Sequence, residues 1–413
     1  MLDATPPRPG AAGVHAAADL PFDKKHLDDL LEAANIDILL VTSKHNIQYM
    51  LGGYRFFFFD QFDAIGITRY LPIIIYPKGR PDRAAYVGNA MEDSEAENGR
   101  FWCPTVETRS WGTLDATDLA IDHIRRIMPP NARIGVEFSF FPADAMDALR
   151  SGLSDCQIVD SHLPLERLRA VKTRDELALI REASDRVVEA MLTTFAHCCP
   201  GITKRDVTAR LRQEELNRGL SFDYCLITAG SGPNRAPSDQ VINSGDIISL
   251  DSGGRYGGYI GDLCRMGIAG RPDAELDDSL GWVEAVQQAA RTPIRSGMLG
   301  KEIFAAVKDV LSSSPHSANT HFVAHGVGVI GHEAPRLSDR GPVTYPAYDA
   351  NLPLQAGMVL SIETTLMHPR RGFIKLEDTV AVTETGWDAF GDKGRGWNCA
   401  DPSMMSTGPD LQQ

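Results

Sequence analysis

A chain of 413 residues exceeds what one hydrophobic core usually organises, so two domains are expected. With 43% hydrophobic and 23% charged residues the composition is that of a globular protein, which excludes wholesale disorder. The formal net charge of -14 denies the chain the basic surface that phosphate recognition needs, so nucleic acid is not an expected partner. Residues 1–19, rich in Ala, Pro and Gly, lack the basic-then-apolar order of a secretory signal and read as a mobile tail. Residues 24–35 place leucines at 27, 30 and 31, a helical spacing, and 36–41 follow as a buried-strand run. The aromatic run Tyr54, Phe56, Phe57, Phe58 and Phe59, with Arg55 inside it, reads most simply as core packing. Residues 64–76 read as one or two strands interrupted by Pro72. Their most apolar part, residues 71–76, is far too short to span a bilayer, so no membrane is expected as a partner. Residues 115–128 carry Leu119, Ile121, Ile124 and Ile127 on one helical side, and 133–138 form a strand after Pro129-Pro130. No phosphate-cradling glycine loop follows these strands. Residues 20–162 are thus expected to form a small α/β domain.

Residues 163–172 read as a polar, extended connector. A long helix is expected over 174–195, with Leu177, Ile180, Val187, Val188 and Met191 at helical spacing, ended by Pro200-Gly201. Thr203 and Asp206 resemble a capping box, with Asp in place of Glu, opening a second helix that halts at Gly219. From Tyr224 the chain turns strand-rich. The seven cysteines, an odd number without a CxxC pair, suit free thiols in a reducing, cytoplasmic setting.

Three motifs carry chemistry. In residues 247–262, Asp251 ends one apolar strand and Asp262 the next, with Gly253, Gly254, Gly257 and Gly258 between them, a hairpin pattern. Carboxylates so placed are costly to bury unless a cation offsets them, although two aspartates in a turn region remain the plainer reading. His325 sits between small residues, with His321 four positions before it and His332 seven after, while a lone core histidine is the plainer reading of each. Glu363 closes an apolar run and Glu377 heads another. Counting by two places Glu363 with Val359 and Ser361, and Glu377 with Thr379 and Ala381. Together Asp251, Asp262, His325, Glu363 and Glu377 make a hard, oxygen-rich set that suits paired Mn, Fe, Co or Zn ions.

The segments LDSGGRYGGYIGDLCR, AHGVGVIGHEAP, SIET and KLEDTVAVTETG, in that order, resemble the pita-bread metallopeptidase family of methionine aminopeptidase, aminopeptidase P, prolidase and the non-peptidase creatinase. The likeness covers roughly residues 171–395. SKHNIQYMLGGY, near the start, resembles the amino-terminal domain of the prolidase and creatinase branch. The resemblance implies an α/β creatinase-like amino-terminal domain (20–162), a linker (163–172), an α+β pita-bread catalytic domain (173–395) and a carboxy-terminal tail (396–413). It implies one metal held by Asp251, Asp262 and Glu377 and a second held by Asp262, His325, Glu363 and Glu377. Glu363 would take a proton from the attacking water, His332 would steady the oxyanion, and His321 matches a pocket histidine of aminopeptidase P. In dimeric relatives an amino-terminal loop closes the neighbour's site, which implies a homodimer in which Phe57 and Phe58 wall a small ligand.

Two departures touch substrate handling. Aminopeptidase P and prolidase carry a histidine shortly after a Gly-Pro-Asn turn; here Gly232-Pro233-Asn234 is followed by residues 235–240 without one. Lys375 stands where the pattern has Arg, keeping charge but losing the bidentate fork. Asn234 and Lys375 are therefore candidate substrate contacts. The expected function is metal-dependent hydrolysis of a C–N amide bond in a dipeptide or Xaa-Pro-like peptide. The alternatives are a non-peptide hydrolase or lyase of a small metabolite on the same scaffold, and a non-catalytic binding protein of this fold.

Overall fold

The computed structural model describes residues 20–59, 66–127, 129, 131–339 and 345–400. The mobile tail expected over residues 1–19 lies outside them. The chain divides into two compact units between Leu168 and Arg169.

The first unit contains, in order, α1 (Lys24–Ala33), β1 (Ile38–Val41), α2 (Lys44–Met50), β2 (Ile73–Pro77), β3 (Ala85–Asn89), α3 (Asp93–Glu97), β4 (Thr105–Ser110), α4 (Thr113–Ile127), β5 (Arg133–Val136), α5 (Ala143–Gly152), β6 (Gln157–Asp160) and α6 (His162–Leu168). Its six-stranded mixed sheet runs β4-β3-β2-β1-β5-β6. Alternation along a strand explains why β1 reads ILLV without a polar residue: Leu39 and Val41 feed the core on one face, Ile38 and Leu40 the core on the other. Among the described residues of 64–76, the strand starts only after Pro72, which has no N–H to give a ladder. Residues 163–168, expected to be extended, are helical instead. Leu165 and Leu168 of α6, one helical step apart, enter the same core as Leu27 and Leu31 of α1. A helix of seven residues is too short for its periodicity to show. The aromatic run divides: Phe56 is buried with its ring 5.5 Å from Tyr70, whereas Phe57, on a 3-10 turn, is 56% exposed.

The second unit contains α7 (Arg174–Ala196), α8 (Lys204–Asn217), β7 (Ser221–Ala229), β8 (Ile247–Tyr256), β9 (Tyr259–Ile268), α9 (Ala274–Arg291), α10 (Lys301–Leu311), β10 (Thr320–Gly326), β11 (Val359–His368), β12 (Gly372–Val382), β13 (Trp387–Phe390) and β14 (Asn398–Cys399). Its sheet runs β10-β11-β12-β9-β8-β7, with β13 on β12 and β14 on β9. Thr203 and Asp206 form a reciprocal capping box at the start of α8, as the sequence suggests. The β8–β9 strands are longer than the motif implied: Gly253 and Gly254 lie within β8, and the turn is Gly257-Gly258 alone, both at positive φ. Pairing also reaches further than residue 395, because Asn398 and Cys399 lie parallel to Gly267 and Ile268.

Candidate metal centre

Strand register alone assembles the centre. Asp251 pairs with Cys264, Cys264 with Glu377, Glu377 with Glu363, and Glu363 with Val323, so one row crosses five strands. The next row on the same face holds Gly253 opposite Asp262, and Thr379 opposite Ser361 opposite His325. The Thr379 hydroxyl, donating to the Asp262 carbonyl at 3.0 Å, joins its two halves. On the other side of the first row, Lys375 pairs with Thr365 and Thr365 with His321. Paired side chains share a face, so the five expected ligands, His321 and Lys375 all project from one patch of sheet. Gly, Ser and Thr in the second row leave room above it. At Gly253 a side chain is excluded outright, since a Cβ would lie 2.4 Å from the ring of Tyr224. That ring crosses the strand so that its hydroxyl donates to Asp262 Oδ1.

The patch is buried: Asp251, Asp262, Glu377 and His325 are at most 3% exposed. Burial, and then the charges of Glu377 and Asp251, drive the Asp262 pKa well above the carboxylate range. Burial and Glu363 push Glu377 up to about 7. Burial works the same way on Glu363 but is outweighed by Lys375 and His325, which hold it low. His325 Nδ1 lies 3.1 Å from the Gly326 carbonyl and Nε2 lies 3.0 Å from Glu363 Oε1. With the Nδ1 proton donated to that carbonyl, Nε2 and Oε1 both present lone pairs, an encounter that a ring proton or a shared cation makes favourable. His332 stacks on His325 with centroids 3.7 Å apart. Among the described residues its Nδ1 is buried without a hydrogen-bond partner, and burial together with His325 lowers its pKa to about 3, leaving a neutral ring. Ligand atoms of Asp262, His325 and Glu377 lie within 4.8 Å of one another, as do those of His325, His332 and Glu363. Clustered carboxylates that resist ionising together, beside the imidazole nitrogens of His325 and His332, fit a hard divalent cation.

Two basic groups enter this patch. Lys375 Nζ lies 2.5 Å from Asp251 Oδ2, 2.6 Å from Glu363 Oε2 and 2.7 Å from Glu377 Oε2. Arg235 also donates to Asp251 Oδ2 and lies over the Phe373 ring. Arg235 reaches the site from the loop after β7, which is pinned where the Lys204 ammonium donates to the Asn234 carbonyl at 2.5 Å. The exposed Asn234 side chain accepts from Ala236 N, shaping the turn, and does not line the cavity beside the centre. That cavity, of about 720 Å³, is lined by Glu363, Lys375, Arg235, His321, Phe322 and Phe373 among others. Phe57 and Phe58 belong to the first unit and the centre is built from the second. Neither Tyr224 nor Arg235 is singled out by the sequence: Tyr224 lies in no motif, and Arg235 follows the Gly232-Pro233-Asn234 turn at the place where the pattern directs attention to a histidine.

Residues 178–384 match metallopeptidase family M24, and residues 24–171 match the creatinase/prolidase N-terminal domain. The uncharacterized peptidase YqhT of Bacillus subtilis is 28% identical over 87% of this chain and 95% of its own. A Xaa-Pro dipeptidase of Pyrococcus horikoshii is 26% identical over 88% of this chain and 94% of its own. In fold, the chain is similar to a Xaa-Pro dipeptidase from Bacillus anthracis, with a TM-score of 0.74 and 21% identity over 90% of this chain and 97% of that one. The architecture is the expected one, a creatinase-type α/β domain followed by a pita-bread domain.

Proposed function

Because the chain belongs to metallopeptidase family M24, and is a metallohydrolase on that account, we propose that it hydrolyses the C–N bond of a short peptide or compact amide at the patch around Glu363 and Glu377. The observation that carries this reading is the convergence of Asp251, Asp262, His325, Glu363 and Glu377 on one face of the sheet, against a cavity that Glu363 lines. The donor set supports two ion positions for Mn, Fe, Co or Zn, one on Asp251, Asp262 and Glu377, the other on Asp262, His325, Glu363 and Glu377. Bound there, such ions polarise the scissile carbonyl and make water acidic enough to attack near neutral pH. Glu363, charged and facing the cavity, takes the proton of the attacking water. His332, whose Nδ1 has unused hydrogen-bonding capacity, steadies the oxyanion, and His321 on the cavity wall contacts the substrate. Asn234 acts through the turn that carries Arg235.

Aromatic walls together with Arg235 and His321 suit a small substrate that carries a carboxylate beside an apolar body, as a dipeptide does. The Xaa-Pro dipeptidases among the relatives point the same way. One observation favours a non-peptide amide instead: residues 235–240, where a histidine is expected, hold none, and Asp239 among them is exposed and held by Arg205 at 2.9 Å. The deciding measurement is kcat/KM for Xaa-Pro dipeptides against small carboxylate-bearing amides, using one metal-loaded preparation. Dipeptide values at or above about 10⁴ M⁻¹s⁻¹ establish the peptidase; turnover confined to amides that are not peptides establishes the second reading.

Homodimerisation, with Phe57 and Phe58 walling the neighbour's site, is supported by the exposure of Phe57. A fully active 45.1 kDa monomer in light scattering would refute it. No helix among the described residues is long and apolar enough to cross a membrane. All seven cysteines are unpaired, which supports a reducing compartment such as the cytoplasm.

A further inference from the structure

Resting on the metal-dependent amide hydrolysis above, we propose that the substrate is an N-acyl amino acid. Its carboxylate lies on Arg235, its apolar acyl group lies along α10, and it carries no free α-amine. Water adds its oxygen to the acyl carbon, the C–N bond breaks, and a proton of that water passes to the nitrogen, releasing a carboxylic acid and the free amino acid.

Arg235 sets the charge that the site selects. It stands among residues 235–240, where the family pattern has a histidine, and puts a permanent cation in place of a ring that is largely neutral near pH 7. Its carbonyl accepts from Ile227 N at 2.8 Å and the Lys204 ammonium holds the preceding carbonyl at 2.5 Å, so the side chain starts from a fixed point. Among the described residues Nη2 alone of its three nitrogens is bonded, to Asp251. The guanidinium therefore lines the cavity with Nη1 unspent, a donor suited to a carboxylate. The same charge repels an ammonium. The nearby acids are already met by cations: Asp251 by Arg235 and Lys375, and Glu363 by Lys375. Position 375 keeps the charge of the family pattern, so the change of preference lies with Arg235.

The sheet and α10 set the apolar end. On the face that bears the metal patch, the row of Glu377 and Glu363 is followed by Lys375, Thr365 and His321, and then by Phe373 and Met367. Charge thus gives way to apolar surface within two rows. α10 turns Phe304, Val307 and Leu311 toward the same cavity at helical spacing, and the Phe304 ring lies 5.5 Å from that of Phe322. Phe304, Leu311, Phe322 and Met367 are half-buried, which leaves apolar area for an acyl group to cover. The cavity, about 720 Å³, is of the size that encloses a ligand well beyond an alanyl or glycyl group.

The test uses matched pairs that differ only in the amine: Ala-Pro with propanoyl-Pro, Leu-Pro with 4-methylpentanoyl-Pro, and Phe-Pro with 3-phenylpropanoyl-Pro, all on one metal-loaded preparation. In each pair kcat/KM should favour the N-acyl compound by about 10-fold or more. It should also rise about 4-fold for each methylene added to the acyl group. The preference should shrink above about pH 8, where the α-ammonium loses its proton. Arg235→His, which returns the histidine, should bring each pair to within about 3-fold near neutral pH. Dipeptides turned over as well as their N-acyl partners overturn the inference and leave the hydrolase reading standing. So does a preference that persists unchanged to high pH, or one that a folded Arg235→His chain retains. A metal-loaded protein that cleaves neither member of any pair overturns the inference together with the hydrolase reading beneath it.

Discussion

Glu377 and Asp378 are neighbours on β12, both essentially buried, and they project to opposite faces of the sheet. Glu377 meets other carboxylates, and burial with Glu363 pushes its pKa up to about 7. Asp378 meets Arg291 at 3.0 Å, Arg395 at 2.6 Å and Arg265 at 3.2 Å, with Gln287 donating at 2.7 Å. Burial alone would raise its pKa too, yet those guanidiniums hold it far below the usual carboxylate range. Two buried acids on one strand are thus solved differently. Asp378 is neutralised by fixed side chains and finished as structure. Glu377 has one ammonium shared among three carboxylates and needs a further cation. The contrast separates a stability element from a functional one without reference to any relative.

Substitution should break the pair in opposite ways. Glu377→Gln keeps the shape but removes an anion from the ion-binding side. Activity should fall about 10³-fold or more while circular dichroism and the melting profile stay native. A variant that keeps its activity would remove Glu377 from the centre. Asp378→Asn leaves the buried Arg265 without its carboxylate, while Arg291 keeps Asp392 and Arg395 keeps Glu284, and should cost about 3–5 kcal/mol in urea unfolding. Its folded fraction should still bind metal. Loss of metal at unchanged stability would mean that the two faces of β12 are not separable.

What the sequence made legible follows the same local-against-distant division. Counting by two placed Glu363 with Ser361, and Glu377 with Thr379, because alternation is a property of the strand itself. The Thr203–Asp206 box was readable because both partners lie within one helical turn. Arg235 and Tyr224 were not readable. Tyr224 reaches Asp262 only because β7 pairs with β8 in a register that sets it opposite Gly253, and the long connection between those strands carries no turn signal that fixes such a register. Arg235 depends on a loop tied to α8 through Lys204, a contact between residues 30 apart. Lys375 could be placed on the face of Glu377, but its reach to Asp251 crosses from β12 over β9 to β8.

A third buried acid sharpens the comparison, because it has neither arginines nor an ion. Glu215 of α8 is 0% exposed, accepts from Ser252 Oγ at 2.8 Å, and among the described residues has its other oxygen unpartnered. Burial, moderated by Ser252, pushes its pKa up to about 8. The folded chain therefore keeps this proton to higher pH than the unfolded chain, where glutamate titrates near about 4.3. Its contribution is largest below that value and falls as pH rises toward 8. Glu215→Gln should flatten this decline and gain on the order of a few kcal/mol near pH 8, read as unfolding free energy against pH. An unchanged slope would mean that Glu215 is ionised in the fold.

The smallest expected effect tests whether Glu377 is aimed as well as charged. Ser361, in the row between Thr379 and His325, donates to Glu377 Oε1 at 2.8 Å and is fully buried. That bond fixes the carboxylate's rotation and leaves Oε2 toward Lys375. Asp378 needs no such guide, since guanidiniums hold both its oxygens. Ser361→Ala should cost about 1 kcal/mol of stability. It should weaken metal binding about 10-fold, as the loss of a hydrogen bond behind a ligand does. Because only aim is lost, saturating metal should restore kcat. A kcat deficit that persists at saturation would place Ser361 in the chemistry itself, and unaltered ion affinity would leave it a packing residue, with Glu377 held by the register of β11 and β12 alone.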